Sequence, residues 1–144
     1  MTDFTVIYGK FLSKIEDYGY AQLSKEDADD HFRKYLSSAI VQFRRICRKD
    51  LSLTTKTGFI EDLEESEIEI LASWMVVSHI EGNMVTEENM RNFLNSRDYR
   101  QYSSANLLKV LIETKDTFKL QVQRMMADYD LYYFMRDWRD SNGK

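Results

Sequence analysis

No proline occurs anywhere in the 144 residues, and glycine occurs only five times. A chain of average composition would carry roughly seven prolines and about ten glycines. These two residues punctuate turns, so their scarcity argues against a turn-dense β-sandwich, a collagen-like repeat or a proline-rich linker. What remains is a chain built of helices. Four glycines, Gly19, Gly58, Gly82 and Gly143, fall where elements are expected to end. The fifth, Gly9, sits inside a helical pattern at a cost of about 1 kcal/mol relative to alanine. It is either a neutral blemish or a place where a neighbour packs closely.

Apolar spacing divides the chain into helical segments. Phe4, Ile7, Tyr8, Phe11, Leu12 and Ile15 recur at steps of three and four after Thr2 or Asp3, with Gly19 as the stop. A second helix starts at Ser24, where Ser24-x-x-Asp27 resembles a capping box with Asp in place of Glu or Gln. Its stripe is Phe32, Leu36, Ala39, Ile40, Phe43 and Ile46. Residues 48–63 read as a long connecting loop anchored by Leu51, Leu53, Phe59, Ile60 and Leu63. At about sixteen residues it is long for a compact domain, and it is a candidate for reaching a neighbour. The third helix begins near Glu64, Glu65 or Ser66 and is apolar on nearly every side from Ile68 to Ile80, which marks it as central and buried. Gly82-Asn83 is expected to end it, Thr86 to cap a short helix over 87–94, and Ser96-Arg97-Asp98 to turn the chain. The last helix starts at Ser103 or Ser104 and runs to about Arg139. Leu108, Leu111, Lys115, Phe118, Val122, Met125, Tyr129 and Tyr132 follow gaps of 3, 4, 3, 4, 3, 4 and 3, a heptad with one charged slot. The expected architecture is all-α: one domain over residues 1–144, a bundle of about four to five helices with a long C-terminal helix.

Charge and cysteine narrow the function classes. Twenty basic and twenty-four acidic residues give a formal charge of −4, which argues against wholesale coating of DNA. The single cysteine, Cys47, excludes an intramolecular disulfide and fits a reducing compartment. The start of the chain lacks a basic and apolar leader. The longest strongly apolar run, Ile70 to Val77, is too short to span a bilayer, so synthesis inside the cell and no membrane association are expected.

Catalytic signatures are weak. No HExxH, GxSxG, P-loop or GxGxxG pattern is present. Asp27 and His31 share a helix face, which reads as a capping acid beside a surface histidine more readily than as a ligand pair. His79 reads as a structural histidine at the end of the buried helix, and Cys47 as a half-buried inert thiol. No enzymatic activity, metal or cofactor is expected.

Two charged runs face each other in the sequence: basic Arg44, Arg45, Arg48, Lys49 and Lys56, and acidic Glu61, Asp62, Glu64, Glu65, Glu67 and Glu69. They are either solvated patches that suit helix dipoles or complementary surfaces of neighbouring subunits joined head to tail. The C-terminal segment is the other feature. Tyr129, Leu131, Tyr132, Tyr133, Phe134, Met135 and Trp138 surround a helix completely, and one packed face cannot hide them all. Residues 129–144 are therefore a candidate docking tail. The candidate partner-binding residues are Tyr129, Tyr132, Tyr133, Phe134 and Trp138 together with Arg44, Arg45, Arg48, Lys49, Glu61, Glu64 and Glu65.

Ser24-Lys25-Glu26-Asp27-Ala28-Asp29-Asp30, the following Tyr35-Leu36-Ser37-Ser38-Ala39-Ile40, and Glu67 to His79 after an acidic turn resemble the small helical head–tail connector (adaptor or neck) proteins of tailed bacteriophages and prophages. The resemblance covers about residues 10 to 82. It implies an acid-capped helix, a long loop and a strongly apolar helix. It also implies a ring of subunits stacked under the portal with DNA passing through, and no catalysis. The expectation is a structural virion protein made in the host cytoplasm, whose partners are copies of itself and portal or other virion proteins, without sequence-specific DNA binding. The alternatives are a tail or baseplate-associated structural protein, and a small helical DNA-binding or packaging protein such as a terminase small subunit or a regulator. Against the last stands the position of the basic cluster, at the C-terminal end of its helix, where a helix-turn-helix reads with its N-terminal end.

Overall fold

Four helices dominate the computed structural model, which describes residues 1–15, 25–94 and 101–143, with side chains described for these except 25–27, 83–94 and 101–108. In chain order they are α1 (Phe4–Lys14), α2 (Lys25–Phe43), α3 (Glu65–Leu94) and α4 (Gln101–Asn142). Two short strands, β1 (Thr2–Asp3) and β2 (Gly58–Phe59), pair antiparallel. The all-α architecture with a long C-terminal helix is therefore present. Gly19, Ser24 and the expected turn at residues 96–98 lie outside the described residues.

α3 is the centre. Every residue from Leu71 to Val77 is buried, which a helix tolerates only if neighbours cover all its sides. α1, α2 and α4 each pack on it. α1 presents Phe4, Ile7, Tyr8 and Phe11; α2 presents Phe32, Leu36, Ala39 and Phe43; α4 presents Val122, Tyr129 and Tyr133. Phe11 meets Phe32 edge-on at 5.5 Å, and Phe43 meets Tyr129 at 5.2 Å. Offset and edge-on ring pairs of this kind add about 0.5–1.5 kcal/mol beyond area burial.

Three expectations need correction. The first is the end of α3. Gly82-Asn83 does not stop it, and the expected separate helix over 87–94 is its continuation to Leu94. A glycine stops a helix by adopting a left-handed conformation, and no described glycine has a positive φ. A single interior glycine costs about 1 kcal/mol, too little by itself to end a helix. The second is the connection. Residues 48–63 do link the helices, but they hold β2 and are folded back. Thr54 bridges to Phe59, and the Ile60 amide donates to the Leu53 carbonyl at 3.0 Å. The Thr2 hydroxyl accepts from the Leu63 amide at 2.8 Å. Leu51 and Phe59 are buried, whereas the expected anchors Leu53 and Ile60 are exposed.

The third concerns the α4 stripe. Its described members from Leu111 to Tyr129 face the core side, but Tyr132 is 63% exposed and Tyr133 takes the buried place. A straight helix drifts about 20° per heptad against a 3.5-residue repeat. After three repeats the step of four from Tyr129, and not the step of three, points inward. The Leu108 side chain lies outside the described residues.

Two glycines behave oppositely. A Cβ on Gly58 would run into the Thr2 carbonyl oxygen and sit 2.9 Å from the Asp3 Cα. The β1–β2 pairing thus needs glycine there. A Cβ on Gly9 meets nothing within 4 Å, which removes the close-packing explanation. Gly58→Ala is expected to lower unfolding free energy by about 1–3 kcal/mol and Gly9→Ala to raise it by about 0.5–1 kcal/mol. Urea unfolding of both variants checks the opposite signs.

Candidate functional site

The site grows from the N-terminus of α3. Glu64 precedes the first helical residue, and its backbone N–H donates at 2.7 Å to the Glu67 carboxyl, three positions on. This is the back-reaching half of a capping box. The same Glu67 is 0% exposed. Its other oxygen accepts the Tyr129 hydroxyl at 2.6 Å and the Cys47 thiol at 3.4 Å. Tyr129 also accepts the Arg48 backbone N–H at 2.9 Å. Tyr133 donates to the Glu64 carboxyl. One buried acid therefore ties the turn after α2, the start of α3 and the middle of α4.

Both readings of the acidic run, a solvated patch or a surface that meets a neighbouring subunit, put Glu67 on the outside, whereas it is buried. The signal was in the spacing: Glu67, Ile70, Leu71 and Trp74 follow the i, i+3, i+4, i+7 pattern of a core stripe. Tyr129 and Tyr133 are likewise not free anchors, because both are buried in this network.

The network sets the protonation of its members. Burial, first, and the Glu67 carboxyl push the Cys47 thiol up to about 12, so it is not a thiolate nucleophile at neutral pH. Burial and then the Glu64 hydrogen bond push Tyr133 up to about 12. Tyr129 is raised further by burial and its bond to Glu67. His79 is buried, 3.4 Å from the Tyr35 hydroxyl and edge-on to Phe11, and His31 stacks edge-on with Tyr35. The Asp27 side chain lies outside the described residues. Among the described residues no three His, Cys, Asp or Glu side chains group so as to hold a metal ion. No described helix is long and apolar enough to cross a membrane.

The two charged runs are partly consumed inside the chain. Arg48 pairs with Asp137 at 3.2 Å and lies 5.2 Å over the Tyr133 ring. Glu65 pairs with Lys10 at 3.0 Å, and Glu69 pairs with Lys10 and Lys14. Glu61 accepts from the Asp50 amide, and Lys49 is half-buried. Arg44 and Arg45 are exposed and form no ion pair among the described residues.

The remaining aromatic candidates face solvent. Tyr132, Phe134 and Trp138 are 63%, 60% and 56% exposed, with Leu131 and Met135 beside them. At 100° per residue, Leu131, Phe134, Met135 and Trp138 fall within about 100° of one another, opposite Val122, Tyr129 and Tyr133. α4 thus carries two apolar faces, one spent on the core and one bare. Between α3 and α4 lies a groove of about 510 Å³ lined by Ile70, Met125 and the three tyrosines, with Glu64, Glu69 and Asp128 at its edge. Ile70, Met125 and Asp128 were not among the sequence candidates, since only the pairing of α3 with α4 brings them together.

Both Cys47 and Tyr133 hold their protons more tightly folded than unfolded. Their contribution is whole below the ordinary values of 9.0 and 10.0 and is lost as pH rises toward about 12. Urea unfolding between pH 8 and pH 12 is expected to show stability falling from about pH 9, and less steeply in Tyr133→Phe. A flat profile contradicts this. Tyr129→Phe strands a buried acceptor and an amide and is expected to cost about 1–3 kcal/mol.

No family model, curated protein or solved structure matches the chain, so its own geometry and the resemblance carry the functional reading.

Proposed function

We propose that this chain is a structural protein of a tailed phage or prophage particle, which assembles with copies of itself and docks on a neighbouring virion protein at the head–tail junction. The observation that carries a docking role is the bare stripe Leu131, Phe134, Met135 and Trp138 on α4. Covering each of these side chains in an interface is worth about 1.5–3 kcal/mol, and large aromatics are typical interface anchors. Their positions are held, not splayed, because Tyr129 and Tyr133 on the opposite face are locked to Glu67 and Glu64. A rigid presented surface lowers the entropy lost on docking.

The choice of particle rests on the resemblance. In its support, an acid-rich α2, a long folded connection and a buried α3 follow one another in the order that the connector family implies. In this role the chain performs no catalytic step. The protein resides in the virion in this role, with genomic DNA passing by and no base-specific contact.

Particles purified on a density gradient, from a culture of the encoding host induced to make them, should contain the chain at a fixed copy number. The triple variant L131Q/F134Q/W138Q should keep its helical circular dichroism and enter particles about tenfold less, the scale expected when interface anchors are lost. Absence of the unaltered chain from particles overturns the proposal, as does normal entry of the variant.

A further inference from the structure

α4 carries a second heptad on its outward side. Leu120, Arg124, Ala127, Leu131, Phe134 and Trp138 follow gaps of 4, 3, 4, 3 and 4, and all six are exposed. At 100° per residue they stay within about 80° of one another. The line runs about 27 Å along the helix. It holds one charged slot, Arg124, and one small slot, Ala127. In the heptad lettering of a coiled coil, Arg124, Leu131 and Trp138 are a positions, and Leu120, Ala127 and Phe134 are d positions. The buried Val122, Tyr129 and Tyr133 then fall at f and c, on the side away from this seam.

Shape and charge together show what such a seam takes. Asp128, Leu131, Tyr132 and Met135, at i, i+3, i+4 and i+7, outline a hollow of about 400 Å³ beside it, with Arg136 and Arg139 at the far end. Four residues at this spacing form the hole into which a facing helix sets one side chain. A helix lying along the seam meets every a and d position, which a sheet edge or a loop does not. Positions e and g flank the seam and set partner choice. Here they are Gln121, Asp128 and Met135, and Gln123, Asp130 and Asp137, with three acids and no base. Asp137 is held by Arg48. Asp128 and Asp130 are exposed and form no ion pair among the described residues. A second copy of α4 brings no cation at these positions and would set acid near acid, which is unfavourable.

We infer that the outward seam of α4 receives an amphipathic helix of a different protein, apolar at its a and d positions and basic at its e and g positions, packed side by side as in a coiled coil. This deepens the docking role proposed above and rests on it. The bare stripe is the centre of the contact, and Asp128 and Asp130 form its selective rim. Phe134 and Trp138 supply the anchors. Arg124, a charged a position, fixes the register at a cost in affinity.

The test titrates the full-length chain with synthetic four-heptad helices that contain no tryptophan. One has Leu at a and d and Lys at e and g. A second has Glu in place of the Lys, and a third keeps the Lys but has Ala at a and d. Calorimetry should show binding of the first and about tenfold weaker binding of the other two. Tryptophan emission should shift to the blue as Trp138 leaves water, Trp74 being already buried. D128K/D130K changes two exposed residues, and circular dichroism verifies its fold. It should bind the Lys helix about tenfold more weakly and the Glu helix about tenfold more tightly than the unaltered chain does, the scale of two attractions turned into repulsions. It should also enter particles about tenfold less. No binding of the Lys helix, equal binding of the Lys and Glu helices, an unchanged preference in D128K/D130K or its normal entry into particles each overturns the inference. Self-association of the unaltered chain that L131Q/F134Q/W138Q abolishes makes a second copy the occupant and overturns it too. If L131Q/F134Q/W138Q is excluded from particles while the Lys helix does not bind, docking stands and the basic helix falls.

Discussion

The carboxyl group of Glu67 is the tie on which the arrangement depends. It is fully buried and takes three hydrogen bonds, from the Glu64 amide, the Tyr129 hydroxyl and the Cys47 thiol. Each comes from a different part of the chain. Without them a buried carboxyl would be costly to hold away from water. With them it locks the start of α3, the turn after α2 and the middle of α4 in one geometry. A well-packed apolar side chain could fill the same space, but it would not select the rotation of α4 about its own axis. The hydrogen bond from Tyr129 does select it, and so decides which residues of α4 face outward.

That choice of rotation links core to surface. With Tyr129 and Tyr133 turned in, Leu131, Phe134, Met135 and Trp138 are turned out. The same rotation puts Tyr132 and Asp128 at the mouth of the α3–α4 groove and Asp137 against Arg48. A helix with apolar residues all round is usually buried all round. Here α3 meets that rule over Leu71–Val77, and the described part of α4 meets it only on one side.

How far this was legible in the sequence follows from what each feature depends on. The helices follow from local spacing and from the missing prolines, so α1, α2 and the core of α3 were readable. The over-apolar end of α4 was readable too, because seven large residues in one stretch exceed what one face can bury. Which of them would be buried was not readable from a strict heptad. Tyr133 displaces Tyr132 because the helix keeps its own period, near 3.6, against α3. Glu67 was hidden by its neighbours: in a run of acids it reads as surface, and only its register with Ile70, Leu71 and Trp74 marks it as core. The fold of the connection depends on Gly58 and Phe59 pairing with Asp3 and Thr2 across the whole of α1 and α2, a long-range pairing that no local window contains.

The central claim is that α4 between residues 129 and 138 is fixed to α3 and presents its bare face as a rigid surface. Native-state amide hydrogen exchange measures this directly. The amides of residues 129–138 should open only with the amides of the buried part of α3, at the free energy of global unfolding. Fast exchange along residues 129–138 while α3 stays protected would mean that the end of α4 frays on its own, and would contradict the account.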